Sequence, residues 1–283
     1  MAEILKGGPA AKAITEDLIF RCKALKENGT DPCLAILRIG ERDDDIAYEK
    51  SAVKRCERIG VKARLFTLPA AASKKEVLDA IRKINNDDTI HGCLMFRPLS
   101  DRQMEAEACA LLDPAKDVDA MTMASLAGVF ACRDIGYPPC TAQAVIELLD
   151  HYQIPLEGRR VTVIGRSMVI GKPVSMMLQK RNATVTMCHT RTVDLPSACR
   201  NAEILIVAAG HTGVVDANYV SKDQVIVDVG INVDPEGNLC GDVRFEEVEP
   251  LVKAITPVPG GVGSVTTAVL CKHVIEAAEK ASK

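Results

Sequence analysis

Tryptophan is absent and the aromatics together make up only 3% of the chain. A flat ligand must therefore be held mostly by aliphatic side chains and backbone. No apolar run reaches the roughly 18 residues that a membrane-spanning helix needs. The 11 cysteines form no CxxC pair and no metal-ligand spacing, and their odd, scattered distribution fits a reducing cytosol better than a disulfide framework. His91, His151, His189, His211 and His273 show neither metal spacing nor an evident triad, so no metal is expected. A net charge of −3 gives no general affinity for nucleic acid or for a membrane surface. The opening segment MAEILKGGPAAKAITEDL has no apolar signal core and the period of an amphipathic helix, so a cytoplasmic protein is expected.

What is present is globular. Of 283 residues, 47% are apolar and 26% charged, which fits one large domain or two of ordinary size. Helix-period and strand-like segments alternate. The pattern predicts helices over 9–28, 43–59, 73–84, 141–152 and 172–181, and a helical last segment. Apolar strands are predicted over 33–39, 61–68, 91–96, 160–165, 183–189, 202–209 and 224–230. This is βαβ logic with buried parallel strands. Adjacent Pro138 and Pro139 break it. The fold class expected is α/β, with an N-terminal α/β domain over 1–138, a Rossmann-like dinucleotide domain over 139–264 and a C-terminal helix over 265–283 that packs back on the first domain.

The sharpest local motif is VTVIGRSMVIGKP (161–173), a buried strand that runs through a glycine turn into a helix with Pro173 in its first turn. Helix N-terminal N–H groups and the macrodipole make an anion site there, suited to a pyrophosphate. The spacing, Gly165 to Gly171, is not G-x-G-x-x-G, and an ordinary βα turn is the alternative. After the next strand comes His189-Thr190-Arg191-Thr192, where an NAD enzyme usually carries an acid for the ribose 2′-hydroxyl. Arg191, with Arg166 in the glycine turn, suits a 2′-phosphate instead, unless both are plain surface arginines. ITPVPGGVGSVT (255–266) places Gly260, Gly261 and Gly263 in a loop that can approach a ligand closely. In DPAKDVDAMT (113–122) the acids cap a helix or one of them faces a ligand. Tyr48 is a lone tyrosine on a helix with charged flanks.

Taken together these segments resemble the methylenetetrahydrofolate dehydrogenase/cyclohydrolase (FolD) family. Tyr48 with ERIG (57–60), HGCLMFRPL (91–99), PAKDVDA (114–120), PPCTAQAV (138–145), VIGRSMVIGKP (163–173), ATVTMCHTRT (183–192), VDVGIN (227–232), GDVRFEEV (241–248) and ITPVPGGVG (255–263) occur in family order and span nearly the whole chain. The resemblance implies two domains facing each other across a cleft and homodimers built through the nucleotide domain. It implies tetrahydrofolate one-carbon derivatives as substrate, and NADP as cofactor with NAD possible. Tyr48 and Asp119 are then the expected catalytic positions. Tyr48, Phe96, Asp119, Gly260, Gly261 and Val262 are the expected folate contacts. Gly165, Arg166, Ser167, Thr190, Arg191 and Ile231 are the expected cofactor contacts.

The chain departs from the family pattern where proton chemistry is expected. The family carries Tyr-x-x-x-Lys; here Ala52 stands four residues after Tyr48. Phe96 replaces the Gln of a Gln-Leu-Pro-Leu run, Asp45 replaces a Ser three residues before the Tyr, and Gly-Pro-Met becomes Gly263-Ser264-Val265. Oxidation of the methylene bridge expels a hydride with the help of a folate nitrogen lone pair, so it needs mainly alignment. Hydrolysis of the methenyl bridge needs a general acid/base, and the family gives that role to the Lys. A dehydrogenase with weak or absent cyclohydrolase is therefore expected. A fully bifunctional enzyme and a non-catalytic folate-binding homologue are the alternatives. Lys50 and Lys54 lie two and six residues from Tyr48, on other helix faces.

Overall fold

The computed structural model describes residues 1–282. In chain order the elements are β1 (Glu3–Ile4), α1 (Gly7–Glu27), β2 (Cys33–Ile39), α2 (Asp43–Ile59), β3 (Lys62–Leu68), α3 (Lys74–Asn85), β4 (Gly92–Met95), α4 (Arg102–Leu111), α5 (Met123–Ala131), α6 (Cys140–His151), β5 (Arg160–Ile164), α7 (Gly171–Lys180), β6 (Thr184–Cys188), α8 (Leu195–Arg200), β7 (Ile204–Val207), β8 (Val225–Asp228), β9 (Asn232–Val233), β10 (Leu239–Cys240), α9 (Phe245–Val248), β11 (Ala254–Ile255) and α10 (Gly263–Ala281). The elements expected from hydrophobic period are found with small shifts at their ends. None of the helices among the described residues is long and apolar enough to cross a membrane.

The chain divides into two compact units. One holds Met1–Lys12 and Thr141–Thr266; the other holds Ala13–Cys140 and the segment from Thr267 on. This corrects the expected 1–138 domain at its start, because the first twelve residues fold with the later segment. Glu3 and Ile4 pair in parallel with Ala254 and Ile255, and the Gly7 N–H donates to the Gly260 carbonyl at 2.8 Å. A two-residue strand is too short to show a period of its own.

In the unit that holds Ala13–Cys140, a three-stranded parallel sheet has the order β3-β2-β4. Leu37, Met95, Val77, Ile81 and Ile84 form one core there with neighbouring apolar residues. Helix α2 starts on three acids, Asp43, Asp44 and Asp45, which the N-terminal end of the helix dipole favours. It stops at Gly60, which takes φ 95° and returns its N–H to the Cys56 carbonyl. A reciprocal Ser73–Glu76 capping box opens α3.

The other unit holds a six-stranded sheet in the order β1-β11-β8-β7-β5-β6, with every pairing parallel. All four residues of β7 and of β8 are buried. Ile164, Leu205, Val207, Ile226 and Ile255 form part of one core. The hairpin of β9 and β10 is antiparallel and separate from this sheet.

Candidate functional site

In the six-stranded unit, β5 lies between β6 and β7, so successive connections leave it in opposite directions. Such a switch point is where an open α/β sheet binds its ligand, at the carboxyl ends of the strands. Gly165 occupies that place with φ +120°, and a Cβ on it would stand 2.2 Å from the Ala208 carbonyl oxygen. A Cβ on Gly171 would stand 2.2 Å from the Gly165 carbonyl oxygen. The wide glycine spacing thus does two jobs: it lets the turn double back, and it lets the turn press against the loop after β7. Within the turn, the Ile170 N–H donates to Ser167 Oγ at 3.1 Å and the Lys172 N–H to the Ser167 carbonyl at 3.0 Å. Arg166 and Ser167 are exposed just ahead of the N-terminus of α7.

The turn after β6 is the neighbouring one. Thr190 and Arg191 are exposed there. His189 Nδ1 accepts the Arg191 N–H at 3.1 Å, and Thr192 Oγ1 accepts the His189 N–H at 2.9 Å. Ile231, after β8, is 66% exposed despite being apolar. All six residues expected to hold the cofactor therefore lie at the carboxyl edge of one parallel sheet. A phosphate-bearing dinucleotide fits this chemistry. A glycine backbone allows close approach, the N-terminus of α7 offers N–H groups, arginines flank the turn and an exposed aliphatic residue sits on the same edge.

Gly260 and Gly261 belong to the same unit. Gly260 takes φ +100°, and a Cβ on Gly261 would stand 2.4 Å from the Pro257 carbonyl oxygen. Val262 is only 2% exposed, so its side chain is buried and leaves a ligand little but its backbone.

Tyr48, Phe96 and Asp119 are gathered in the other unit. Tyr48, on α2, is partly exposed, and its ring meets the buried Phe96 ring edge to face with centroids 5.9 Å apart. Burial, with the Asp119 carboxylate nearby, pushes the Tyr48 hydroxyl well above its ordinary value. Asp119 accepts the Cys140 N–H at 2.8 Å. Burial raises its carboxyl pKa, while the Cys140 hydrogen bonds and the Arg97 charge oppose that rise. Ala52, one helical turn beyond Tyr48, is fully buried. Lys50 and Lys54 are exposed. Asp45 forms a two-pronged ion pair with Arg42 at 2.8 and 2.9 Å, and Arg42 also donates to the Arg97 carbonyl at 3.3 Å.

The acids of 113–122 prove to have separate jobs. Asp113 caps a short 3₁₀ turn through the Ala115 N–H, and Lys116 Nζ donates to the carbonyls of Ile84, Asn85 and Asp87. Asp117, fully buried, accepts from the Met121 and Thr122 N–H groups and from the Ser125 hydroxyl. That leaves Asp119 beside Tyr48. Two neighbours were not legible in the sequence: Cys140, whose Sγ lies 3.2 Å from the Val118 carbonyl, and His273, whose Nδ1 lies 2.8 Å from the same oxygen. Nor were Asp228 and Asp242. They stood inside quoted motifs, but no local spacing told them from surface acids.

The fold and these edges define an α/β oxidoreductase of the dinucleotide-binding kind. Comparison with known proteins narrows this. Residues 5–119 match the tetrahydrofolate dehydrogenase/cyclohydrolase catalytic domain, and residues 139–282 match the NAD(P)-binding domain of the same family. The chain is 50% identical to the bifunctional protein FolD of Carboxydothermus hydrogenoformans over 281 residues, covering 99% of this chain and 98% of that one. Among solved structures, the bifunctional FolD of Campylobacter jejuni is similar at a TM-score of 0.96 and 35% identity, covering 99% of each chain. The methylenetetrahydrofolate dehydrogenase-cyclohydrolase of Trypanosoma brucei, solved with NADP and an inhibitor, is similar at 0.92 and 30%, covering 99% of this chain and 98% of that one. The chain belongs to the tetrahydrofolate dehydrogenase/cyclohydrolase family.

Proposed function

We propose that this protein oxidises 5,10-methylenetetrahydrofolate to 5,10-methenyltetrahydrofolate with NADP, NAD being the second choice, and that its cyclohydrolase step is weak or absent. Position 52 carries the second half of this reading. Alanine stands there, fully buried, one turn from Tyr48. It has no group to move a proton, and Phe96 against Tyr48 offers no hydrogen bond. Loss of a positioned acid/base costs roughly 10²–10⁴-fold.

The dehydrogenase step makes smaller demands. When bound, the nicotinamide cofactor accepts the hydride. The protein has to hold the folate and exclude alternatives in geometry, an alignment task. Asp119 suits the amino and ring N–H groups of a pterin, because a carboxylate accepts from paired donors. Tyr48, kept protonated by its surroundings, serves as a hydrogen-bond donor rather than a base. Gly165, Arg166 and Ser167 are assigned to the phosphates and ribose, with Thr190, Arg191 and Ile231 beside them. Arg191 favours NADP, since the turn offers a guanidinium where an NAD site has an acid. A cytoplasmic homodimer completes this reading, on the resemblance of the chain to its family.

The names of the relatives favour a second reading, the fully bifunctional enzyme, in which another group replaces the missing lysine. An absorbance time course with 5,10-methylenetetrahydrofolate and NADP separates the two. Methenyl product that accumulates and persists supports the dehydrogenase alone. Methenyl product that decays faster with protein than without it establishes cyclohydrolase activity and removes the inference from Ala52.

A further inference from the structure

Asp242 is fully buried, and its carboxylate accepts four hydrogen bonds. Its Oδ2 accepts the N–H groups of Ala209 at 2.6 Å and Gly210 at 2.9 Å. Its Oδ1 accepts the His211 N–H at 2.9 Å and Asn232 Nδ2 at 2.9 Å. Three consecutive amides of one loop thus converge on one carboxylate, which also reaches a second segment. The first loop follows β7. It begins at Ala208, whose carbonyl oxygen is the atom that forbids a side chain at Gly165. The second segment follows β8 and runs from the exposed Ile231 into Asn232, the first residue of β9.

The carboxylate is itself held in place. Asp228 Oδ1 accepts the N–H groups of Asp242 at 3.1 Å and Gly230 at 2.9 Å, and Asp228 Oδ2 accepts that of Val243 at 2.9 Å. Two glycines make room for this. A Cβ on Gly230 would stand 2.3 Å from Asp242 Cγ, and a Cβ on Gly241 would stand 1.9 Å from Asp228 Oδ2.

We propose that Asp242 is a positioning residue for the dinucleotide site: it fixes the Ala209–His211 loop against the Gly165 turn and ties it to the Ile231–Asn232 segment. The inference rests on assigning the cofactor to the carboxyl edge of the six-stranded sheet. Asp242 does not act on the reacting atoms. It is buried and saturated with donors, and its negative charge answers amides that would otherwise be unpaired at the switch point. Two segments that follow adjacent strands then share one fixed point, and the cofactor edge is built before a cofactor arrives.

Two variants test this. Asp242→Asn keeps the volume but turns an NH₂ group toward the amides. Asn232→Ala removes one donor at the less buried end and leaves the carboxylate's other partners intact. In Asp242→Asn the KM for NADP rises roughly tenfold or more, the scale of one lost hydrogen bond to a charged group. The KM for methylenetetrahydrofolate is unchanged. Amide hydrogen exchange at 209–211 accelerates and slows again in saturating NADP. Asn232→Ala shows a smaller rise in the NADP KM at an unchanged melting temperature. If the unmodified enzyme binds neither NADP nor NAD, the cofactor assignment fails and the proposal falls with it. If the enzyme binds NADP but both variants keep its KM while exchange at 209–211 accelerates, Asp242 merely supports the fold and the proposal is overturned. Should Asp242→Asn fail to fold, an unchanged NADP KM in Asn232→Ala overturns it equally.

Discussion

Phe96 stands edge-on to Tyr48, with ring planes at 83°. Such an edge-to-face pair is worth about 0.5–1.5 kcal/mol beyond its area, and it closes one side of the tyrosine with hydrocarbon. The pair also explains why restoring a lysine alone should fail. Ala52→Lys would place an ammonium at a position that is fully buried, with no amide from residue 96 to receive it. The variant should lose stability and gain little hydrolysis. Ala52→Lys combined with Phe96→Gln should raise the rate of methenyl decay by about 10²-fold. Both are measured as loss of methenyl absorbance. A single Ala52→Lys that hydrolyses as fast as the double variant would show that Phe96 is irrelevant.

Gly165 should tolerate no side chain. Gly165→Ala must either move the Ala208 carbonyl, 2.2 Å from the new Cβ, or abandon φ +120°. A loss of about 1–3 kcal/mol in stability is expected, together with a large rise in the Kd for NADP. Thermal unfolding and cofactor titration check both. Unchanged values would mean that the turn is loose and does not set the cofactor edge.

Arg191 should govern the choice of cofactor. It is exposed in the turn after β6, held through its N–H to His189 Nδ1. Arg191→Ala should lower the ratio of kcat/KM for NADP over NAD by roughly tenfold, the loss of one guanidinium–phosphate contact. Thr192 and His189 keep the turn itself in shape, so NAD turnover should hardly change. Equal losses with both cofactors would assign Arg191 to structure.

Stability should carry an imprint of Asp228. Burial, aided by the Asp242 charge and opposed by three backbone N–H groups, lifts its pKa from 3.8 to about 6. Between those values the native protein keeps a proton that the unfolded chain has released. Its contribution to stability therefore falls as pH rises from about 4 to about 6 and is level above that, a change of about 3 kcal/mol. Asp228→Asn should be less stable overall, because an amide accepts fewer of the three N–H groups. It should also lack this slope relative to the parent. Urea midpoints at pH 4, 5, 6 and 7 decide the matter, and parallel curves for the two proteins would refute it.

Much of this was legible in the sequence, for identifiable reasons. β7 and β8 announce themselves as unbroken apolar runs, and α3 by its helical period. Gly165 stands out because a strand ends on it. Asp119 was separable from its neighbours only through the family pattern, since Asp113, Lys116 and Asp117 use the same residue types for capping and burial. Asp242 was illegible for a different reason. Its donors lie at 209–211 and 232, and nothing in a local window says that these distant amides converge. The first twelve residues were misplaced because β1 takes its identity entirely from β11.

That pairing has a consequence for synthesis. The Ala2 N–H is bonded to Glu249, 247 positions away, and β1 is the last strand at one side of the six-stranded sheet. During translation Glu3 and Ile4 must wait, unpaired, until Ala254 and Ile255 have emerged, and contacts of such long range slow folding. Until it docks, the partner strand β11 presents a free row of amides and carbonyls of the kind that recruits other chains. Removing the first six residues would leave that edge uncovered permanently, and a nascent-chain defect would then show as clumping rather than as lost catalysis.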